Sequence, residues 1–530
     1  MLHTLSDLLA LSKDADVGAR PFIVQRNDSL SYEAFHMKVE RLRSWLLMQP
    51  ELSKGDRIAV FLPKCWQEVV AFFAITTAGF VFVSINQKLK SHQVRHVVLD
   101  SGCAHMITTG ALLDDVSEVY GELGLKTIIR VDEPIQTDMA CETAMEISLE
   151  SILSGGHAHL PAPMLLSEDI ASLLYTSGST GSPKGVVLSH GNMVDGAQIV
   201  SGYLGVQEHD RIASILPFSF DYGLSQLLIS AFKRCTLVLV DYLFPKDLVR
   251  AVETHGITVL PLVPHLWVHA LTYLGKKNRT LPGVRIMTNT GGALAAKYVE
   301  VAQAAFPEGN LFLMYGLTEA FRSTYLPIEE LQRRPGSIGK AIPGVEIYVI
   351  NEQGDECGPN EVGELVHRGA LVSKGYWRDA QRTAERFRPS PRQLAGQVIE
   401  DLAVYSGDFV RKDDDGFLFF VGRKDNIVKS QGFRINTLEV EHVIRSIPSI
   451  LDCVVVAVPS DMSGSELVAY IQSHDAPDDQ KPALIAHLEA ELPYYMIPRA
   501  MNFTKDFPLT VSGKVDRQLL LTQAIEQRTP

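Results

Sequence analysis

Apolar runs short enough to be strands alternate along the chain with stretches whose apolar residues recur at helical spacing. The strand-like runs are RIAVFLP, FVFVSI, HMITTG, TIIRV, CTLVLVD, ITVLPLVP and VRIMTNTGG, and continuous apolar runs of this length suit strands covered on both faces. The rhythm predicts an α/β fold with largely parallel sheets. Val69 to Ile85 carries no charge, but it is short for a membrane span, and Thr76, Thr77, Gly79 and Ser84 interrupt it. A buried helix that turns at Gly79 into a buried strand accounts for it better. From about Pro343 the pieces shorten. FVRKDDDGFLFFVG predicts a hairpin with Asp415-Gly416 in the turn, its three aspartates reading as solvated. The tail predicts a compact α+β unit of about a hundred residues. It has a helix near Glu439 to Ile444, strands CVVVAVP and LVAYIQS, and a helix near Pro482 to Leu492.

The 530 residues, 46% of them hydrophobic, suffice for a large core and two or more domains. With 49 basic and 62 acidic residues the formal charge is −13, which disfavours nonspecific association with nucleic acid or an anionic membrane. Cys65, Cys103, Cys141, Cys235, Cys357 and Cys453 lie far apart, with no CxxC pair and no Cys/His cluster; reduced, mostly buried thiols are expected. MLHTLSDLLALSKDAD has no basic segment before its apolar stretch and no small-residue cleavage site. No signal peptide is expected there, and the expected location is the cytoplasm.

The chemistry concentrates first in LLYTSGSTGSPKGVVLSH, Leu173 to His190. It is not a Walker A loop, because no G-x-x-x-x-G-K-[ST] fits around Gly178, Gly181 and Lys184. Its means are similar: glycines let backbone N–H groups approach an anion, Ser177, Ser179 and Thr180 add hydroxyls, and Lys184 adds a mobile charge. A flexible surface turn would explain the Gly and Ser, but not a loop framed by a buried strand and by GVVLSH.

The whole string resembles the signature loop of the AMP-forming acyl and aminoacyl ligases, the superfamily of acyl-CoA synthetases, peptide-synthetase adenylation domains and firefly luciferase. TNTGGA, YGLTEA, GELVHRG with KGYW, YSGDFV, GRKDNIVKSQGFRI, LPYYMIP and PLTVSGKVDR follow in that family's order, so the resemblance covers nearly the whole chain. It implies a large N-terminal domain, residues 1–424, of stacked, mostly parallel sheets with a small β-region. A small mobile α+β C-terminal domain, residues 425–530, would carry the catalytic lysine, with the hinge at Asp425. It also implies that Thr176, Ser177, Gly178, Ser179, Thr180, Gly181 and Lys184 hold the outer phosphates of ATP. Gly291, Gly292, Ala293, Tyr315, Gly316 and Thr318 would hold the adenine end, and Asp408 and Arg423 the ribose and phosphate oxygens. Glu319 would be the Mg²⁺ ligand. Lys514 would bridge the substrate carboxylate and the α-phosphate. Lys429 and Gly432 would serve the second step, in which the small domain rotates and a pantetheine thiol displaces AMP. GGxS-like attachment serines are missing after Lys514, so the thiol is expected on CoA or on a separate carrier protein.

LPFSFDYGLSQ departs from the His-containing PLFHxYG of many fatty and aromatic acyl-CoA synthetases: Phe220 takes the histidine position and Asp221 follows it. In amino-acid-activating domains an aspartate there pairs with the substrate's α-ammonium, and a buried carboxylate needs such a partner. The alternatives are that Asp221 pairs with Arg322 or caps a helix. By the same resemblance Tyr222, Ser225, Pro261, Thr288, Thr290, Met314, Arg322 and Ser323 line the acyl pocket. That lining suits a small carboxylic acid, an amino acid in preference to a fatty acid. FDYGL segments are shared by standalone aminoacyl carrier-protein ligases and by acyl-CoA ligases of exosortase systems, and LFLMYGLTEAFRSTYLP is most similar to the latter. An enzyme that stops at the adenylate should carry an insertion in GRKDNIVKSQG, and a non-catalytic relative should lack Lys514 or Glu319; neither holds here. A luciferase-like oxygenase shares the first step, but no sequence feature marks one.

Overall fold

The computed structural model of the chain describes residues 2–14, 16–132, 144–156, 158–176, 183–393, 396–423, 427–430, 433–460, 464–473, 477–492, 494–510 and 513–527. The uncharged segment folds as its pattern predicts. The helix Trp66–Thr77 is buried on nearly every side, Gly79 turns the chain with φ +82°, and Val81–Asn86 continues as a fully buried strand. Only a residue without Cβ takes that φ cheaply. Among the described residues no helix is long and apolar enough to cross a membrane.

Two large sheets carry most of the chain. One is a seven-stranded sheet among the described residues, ordered Met145–Ser148, Thr127–Arg130, His105–Thr108, Arg57–Leu62, Val81–Asn86, Ile170–Thr176 and Lys184–Ser189. All its pairs are parallel except the last, which brackets the Gly/Ser loop. The other has a parallel block of Pro21–Gln25, Thr236–Leu239, Arg211–Ser214, Val259–Leu262, Ile286–Asn289 and Asn310–Tyr315. It passes through Thr324–Leu326 and Ser337–Ala341 into an antiparallel region built on Leu402–Lys412 and Leu418–Arg423. Residues of both sheets share one apolar core with the helices Tyr32–Leu47, Trp66–Thr77, His190–Leu204 and Asp221–Lys233, which makes the layered α/β architecture.

The tail forms its own sheet and core. Ile450–Ser460 pairs antiparallel with Gly464–Ser473, and Ala500–Thr504 adds in parallel. Ile444, Cys453, Ile471 and Leu488 pack beneath the helices Thr437–Arg445 and Pro477–Glu491. The second helix begins at Pro477, earlier than the expected Pro482, which sits inside it, beyond the first turn. The Asp415-Gly416 hairpin forms, with Gly416 at φ +82°, but its aspartates are not merely solvated. Asp413 Oδ1 accepts from the amides of Asp415 and Phe417 at 3.1 and 2.8 Å, and its Oδ2 accepts from Arg334 Nε at 3.0 Å. The first aspartate therefore ties the turn together. Cys65, Cys103, Cys235, Cys357 and Cys453 are free and buried; Cys141 lies outside the described residues.

Candidate active site

The strand ends that the motifs occupy meet in a cleft faced by the tail. Ser177, Gly178, Ser179, Thr180 and Gly181 lie outside the described residues. Their flanks are fixed: Thr176 ends one strand opposite Lys184, which begins the next. Lys184 Nζ donates to Tyr376 Oη at 2.7 Å and lies 3.4 Å from Glu319 Oε1. The Tyr376 hydroxyl in turn donates to the same Glu319 oxygen at 2.5 Å. Burial pushes the Glu319 carboxyl up, but Lys184 and the Tyr376 hydrogen bond outweigh it and hold it below the ordinary carboxylate value. Glu319 is thus a buried anion, and no described side chain other than these two pairs with it. A hard cation needs such an oxygen donor, so the residues present fit a Mg²⁺ ligand. Burial lowers the Lys184 pKa against the pull of Glu319.

Beside this triad, Tyr315 donates to Asp408 Oδ2 at 2.6 Å. Asp408 Oδ1 lies 3.2 Å from Arg423 Nε but makes no aligned hydrogen bond. Burial raises the Asp408 pKa, with Arg423 opposing. Gly291 has φ +81° and Asn289 Nδ2 donates to the Gly292 carbonyl at 3.0 Å, so the loop after Ile286–Asn289 that leads to Ala293 is held by its own side chain. A Cβ at Gly316 would stand 3.0 Å from Arg322 Cα. Thr318 opens the short 3₁₀ turn that contains Glu319.

Lys514 reaches this cleft from the tail. Its backbone amide donates to Thr510 Oγ1 at 3.2 Å and its carbonyl accepts from the Thr510 amide at 2.7 Å, so the turn presents the side chain outward. Nζ lies 5.4 Å from the centre of the Phe220 ring, and Cε lies 3.6 Å from where a Cβ on Gly291 would be. The tail is anchored in this pose by Lys297 Nζ, which donates to the carbonyls of Ile450 at 2.5 Å and Arg445 at 3.3 Å, and by the Tyr298 hydroxyl on the Leu451 carbonyl at 3.3 Å. Asp425 and Gly432 lie outside the described residues; Lys429 stands in the strand Ile427–Ser430, opposite Arg434, and its side chain is not described.

The residues expected to line an acyl pocket stand on or beside the helix Asp221–Lys233 and three strands. Asp221 is the first helical residue, 7% exposed, and its Oδ1 accepts from the Tyr222 amide at 2.9 Å. It therefore has the favourable field of a helix N-terminus, yet it forms no ion pair with a described residue. Burial raises its pKa, with Arg322 and then Lys514 pulling the other way. The Tyr222 hydroxyl bonds Thr288 Oγ1, and Trp267 Nε1 donates to the Thr288 carbonyl at 3.2 Å. Pro261 sits in register with Thr288 on the neighbouring strand. Ser225 is buried with its hydroxyl unbonded. Arg322 lies over the Tyr222 ring at 5.2 Å and donates to Thr290 Oγ1 at 3.0 Å. Phe321 before it has φ +47° and ψ −54°, and the Arg322 amide bonds the Ala320 carbonyl at 2.5 Å. This is a γ-turn of the rare, strained hand. The Phe321 ring rests on Gly196, where a Cβ would come within 2.8 Å of it.

Two of the expected lining residues have other engagements. The Ser323 hydroxyl is bonded to His367 Nδ1 at 2.9 Å, and Met314 Sδ accepts from Tyr203 at 3.0 Å. Tyr203 stacks on Tyr325 with centroids 4.2 Å apart, and neither tyrosine was indicated by the motifs. Tyr376, within KGYW, carries no expected role from the sequence, yet it joins Lys184 to Glu319. Arg386 was also missed. A Cβ on Gly407 would lie 2.5 Å from its Nη1, and its charge acts on Lys184, Glu319, Tyr376 and Asp408.

A parallel α/β body with an anion-handling cleft and a lysine delivered by a separate C-terminal unit defines an adenylate-forming enzyme. The chain belongs to the AMP-binding enzyme family, which matches residues 13–377, with the AMP-binding enzyme C-terminal domain matching residues 439–514. It is 27% identical over 506 residues to a long-chain-fatty-acid–CoA ligase of Bacillus subtilis, covering 90% of this chain and 87% of that protein. It is 28% identical over 502 residues to one of the linear gramicidin synthase proteins of Brevibacillus parabrevis, covering 94% of this chain but 6% of that much longer protein. The crystal structure of the anthranilate CoA ligase AuaEII with anthranoyl-AMP has the same fold, with a TM-score of 0.88 at 21% identity over 99% of this chain and 98% of that one.

Proposed function

We propose that the protein is an ATP-dependent ligase that adenylates a small carboxylic acid, an amino acid by preference, and passes it to a pantetheine thiol. The observation that carries this reading is the convergence of Lys514 from the tail with Asp221 and the Glu319–Lys184 pair in one cleft. In the first step a carboxylate oxygen of the substrate attacks the α-phosphorus of ATP, the bond to the β-phosphate oxygen breaks, and pyrophosphate leaves. Lys514 stabilises the charge that builds between carboxylate and α-phosphate. Lys184 and the Gly/Ser loop, Thr176 to Gly181, hold the departing phosphates. Mg²⁺ held by Glu319 would neutralise phosphate charge. Gly291, Gly292, Ala293, Tyr315, Gly316 and Thr318 frame the adenine end, and Asp408 and Arg423 take ribose oxygens. In the second step the thiolate sulfur attacks the acyl carbon, the carbon–oxygen bond to phosphate breaks, and AMP leaves with the electron pair. The hinge at Asp425, between a domain of residues 1–424 and one of 425–530, turns Lys429 and Gly432 towards the thiol, carried by CoA or by a separate carrier protein.

Asp221, buried and without an ion pair among the described residues, favours the amino-acid reading: a substrate ammonium would supply the charge it lacks. A CoA ligase for an acid without an amine is the second reading, favoured by what the B. subtilis relative is named for. Substrate-dependent ATP–pyrophosphate exchange across amino acids and short and long fatty acids separates the two. Exchange with an amino acid, lost in Asp221→Ala, supports the first. Exchange only with acids lacking an amine overturns it.

A further inference from the structure

The proposed acyl side of the site holds a cation that no described anion meets. Arg322 is 2% exposed and carries a guanidinium cation. One terminal nitrogen donates to the uncharged hydroxyl of Thr290, Nε has no hydrogen-bond partner, and no described carboxylate forms an ion pair with it. Asp221 feels its field without pairing with it. An unpaired buried charge is costly, and the usual compensation is a well-placed counter-ion; the Tyr222 ring at 5.2 Å is a weak substitute. A position that needed only volume would take an apolar side chain. Here the backbone instead accepts a strained γ-turn at Phe321 immediately before the arginine, and such strain persists where placement matters. Across from the guanidinium the backbone is bare, since a Cβ on Gly316 would lie 3.3 Å from Arg322 Nη1.

We propose that Arg322 receives a second carboxylate of the acyl substrate, remote from the one that is activated. This rests on the adenylation reading, in which Lys514 meets the reacting carboxylate and Asp221 an ammonium. The three protein charges are then one negative and two positive, and an amino dicarboxylic acid presents their mirror image. A neutral amino acid leaves Arg322 unmatched, and a fatty acid leaves both Arg322 and Asp221 unmatched. Arg322 is a specificity-determining group: its guanidinium bonds Thr290 and lies over Tyr222, and its approach to Gly316 is to bare backbone.

The test is ATP–pyrophosphate exchange on the full chain with four sets of acids: aspartate, glutamate and their next homologue; asparagine, glutamine and norvaline; succinate and glutarate; and simple monocarboxylic acids. A site built around a charged group rejects the analogue that lacks it strongly. The expected result is a kcat/KM for one amino dicarboxylic acid about 100-fold or more above that of its amide. Arg322→Met should remove that preference, Arg322→Lys should restore part of it, and the KM for ATP should be unmoved in both. The wild-type ranking reads the proposal even if Arg322→Met fails to fold. A preference for a dicarboxylic acid without an amine keeps the Arg322 receptor and overturns the ammonium role of Asp221. A neutral acid ranking first, or Arg322→Met slowing every acid alike, overturns the proposal and leaves the adenylation reading standing. No exchange with any of the acids overturns both.

Discussion

The two walls of the proposed site, one proposed to take the nucleotide and the other the acyl substrate, satisfy their charges in opposite ways. On the nucleotide wall Lys184, Glu319 and Tyr376 are already bonded to one another, and Tyr315, Asp408 and Arg423 form a second linked set. On the acyl wall Asp221 and Arg322 are buried and form no ion pair with a described residue, and the Ser225 hydroxyl has no hydrogen-bond partner among the described residues. A wall that carries out chemistry common to many substrates gains from being preorganised. A wall that must distinguish one acid from another gains from leaving charges for that acid to complete.

That contrast can be broken most directly at Lys514, which belongs to neither wall. Lys514→Ala should cut pyrophosphate exchange by about 1000-fold, and because the side chain is exposed in its turn, the melting temperature should not move. On the nucleotide wall, Glu319→Gln should cost about 100-fold in exchange, raise the Mg²⁺ needed, and lower thermal stability by leaving Lys184 without its counter-charge. The sign with pH follows from its depressed pKa: the stability Glu319 lends is complete above its ordinary value of 4.5 and is lost only as pH falls through the lower folded value. An unchanged melting temperature in Glu319→Gln would mean that the wall is not preorganised by this pair. On the acyl wall the opposite is expected. Asp221→Asn should lose about 100-fold in kcat/KM for amine-bearing acids, yet melt no lower than wild type, since it removes a carboxylate whose pKa burial has raised. Tyr376→Phe removes two hydrogen bonds to charged groups, the one accepted from Lys184 and the one donated to Glu319, and should cost about 10-fold in exchange. Smallest, Lys297→Ala should slow exchange only a few-fold, about what losing two part-buried hydrogen bonds implies. Thioester formation from a supplied acyl-adenylate should be unaffected by it. An equal loss in both half-reactions would show that Lys297 does more than hold the tail in the adenylating pose.

Legibility in the sequence followed the same division. The strands, the helix-to-strand turn at Gly79 and the hairpin at Gly416 are written locally, in apolar runs and in residues that take positive φ. The residues proposed for the nucleotide wall, Glu319 and Asp408 among them, stand in motif strings whose order matches the family. Their wiring was not legible. Tyr376 meets Lys184 across 192 positions and Glu319 across 57, and no local pattern encodes such a meeting. The acyl wall was legible only as a set of positions. That Ser323 turns to His367, or that Arg322 finds a hydroxyl rather than a carboxylate, depends on how the antiparallel region packs against the parallel block. Local periodicity does not carry that information.

The contact of Phe321 with Gly196 gives this acyl wall an unexpected line of inheritance. Gly196 lies in the helix His190–Leu204 and belongs to none of the motifs that mark the site. Yet a single methyl group there would press on the Phe321 ring and so on the turn that aims Arg322. Two relatives could share every residue of the pocket and still differ in the acids they accept, having diverged at one glycine beyond its wall.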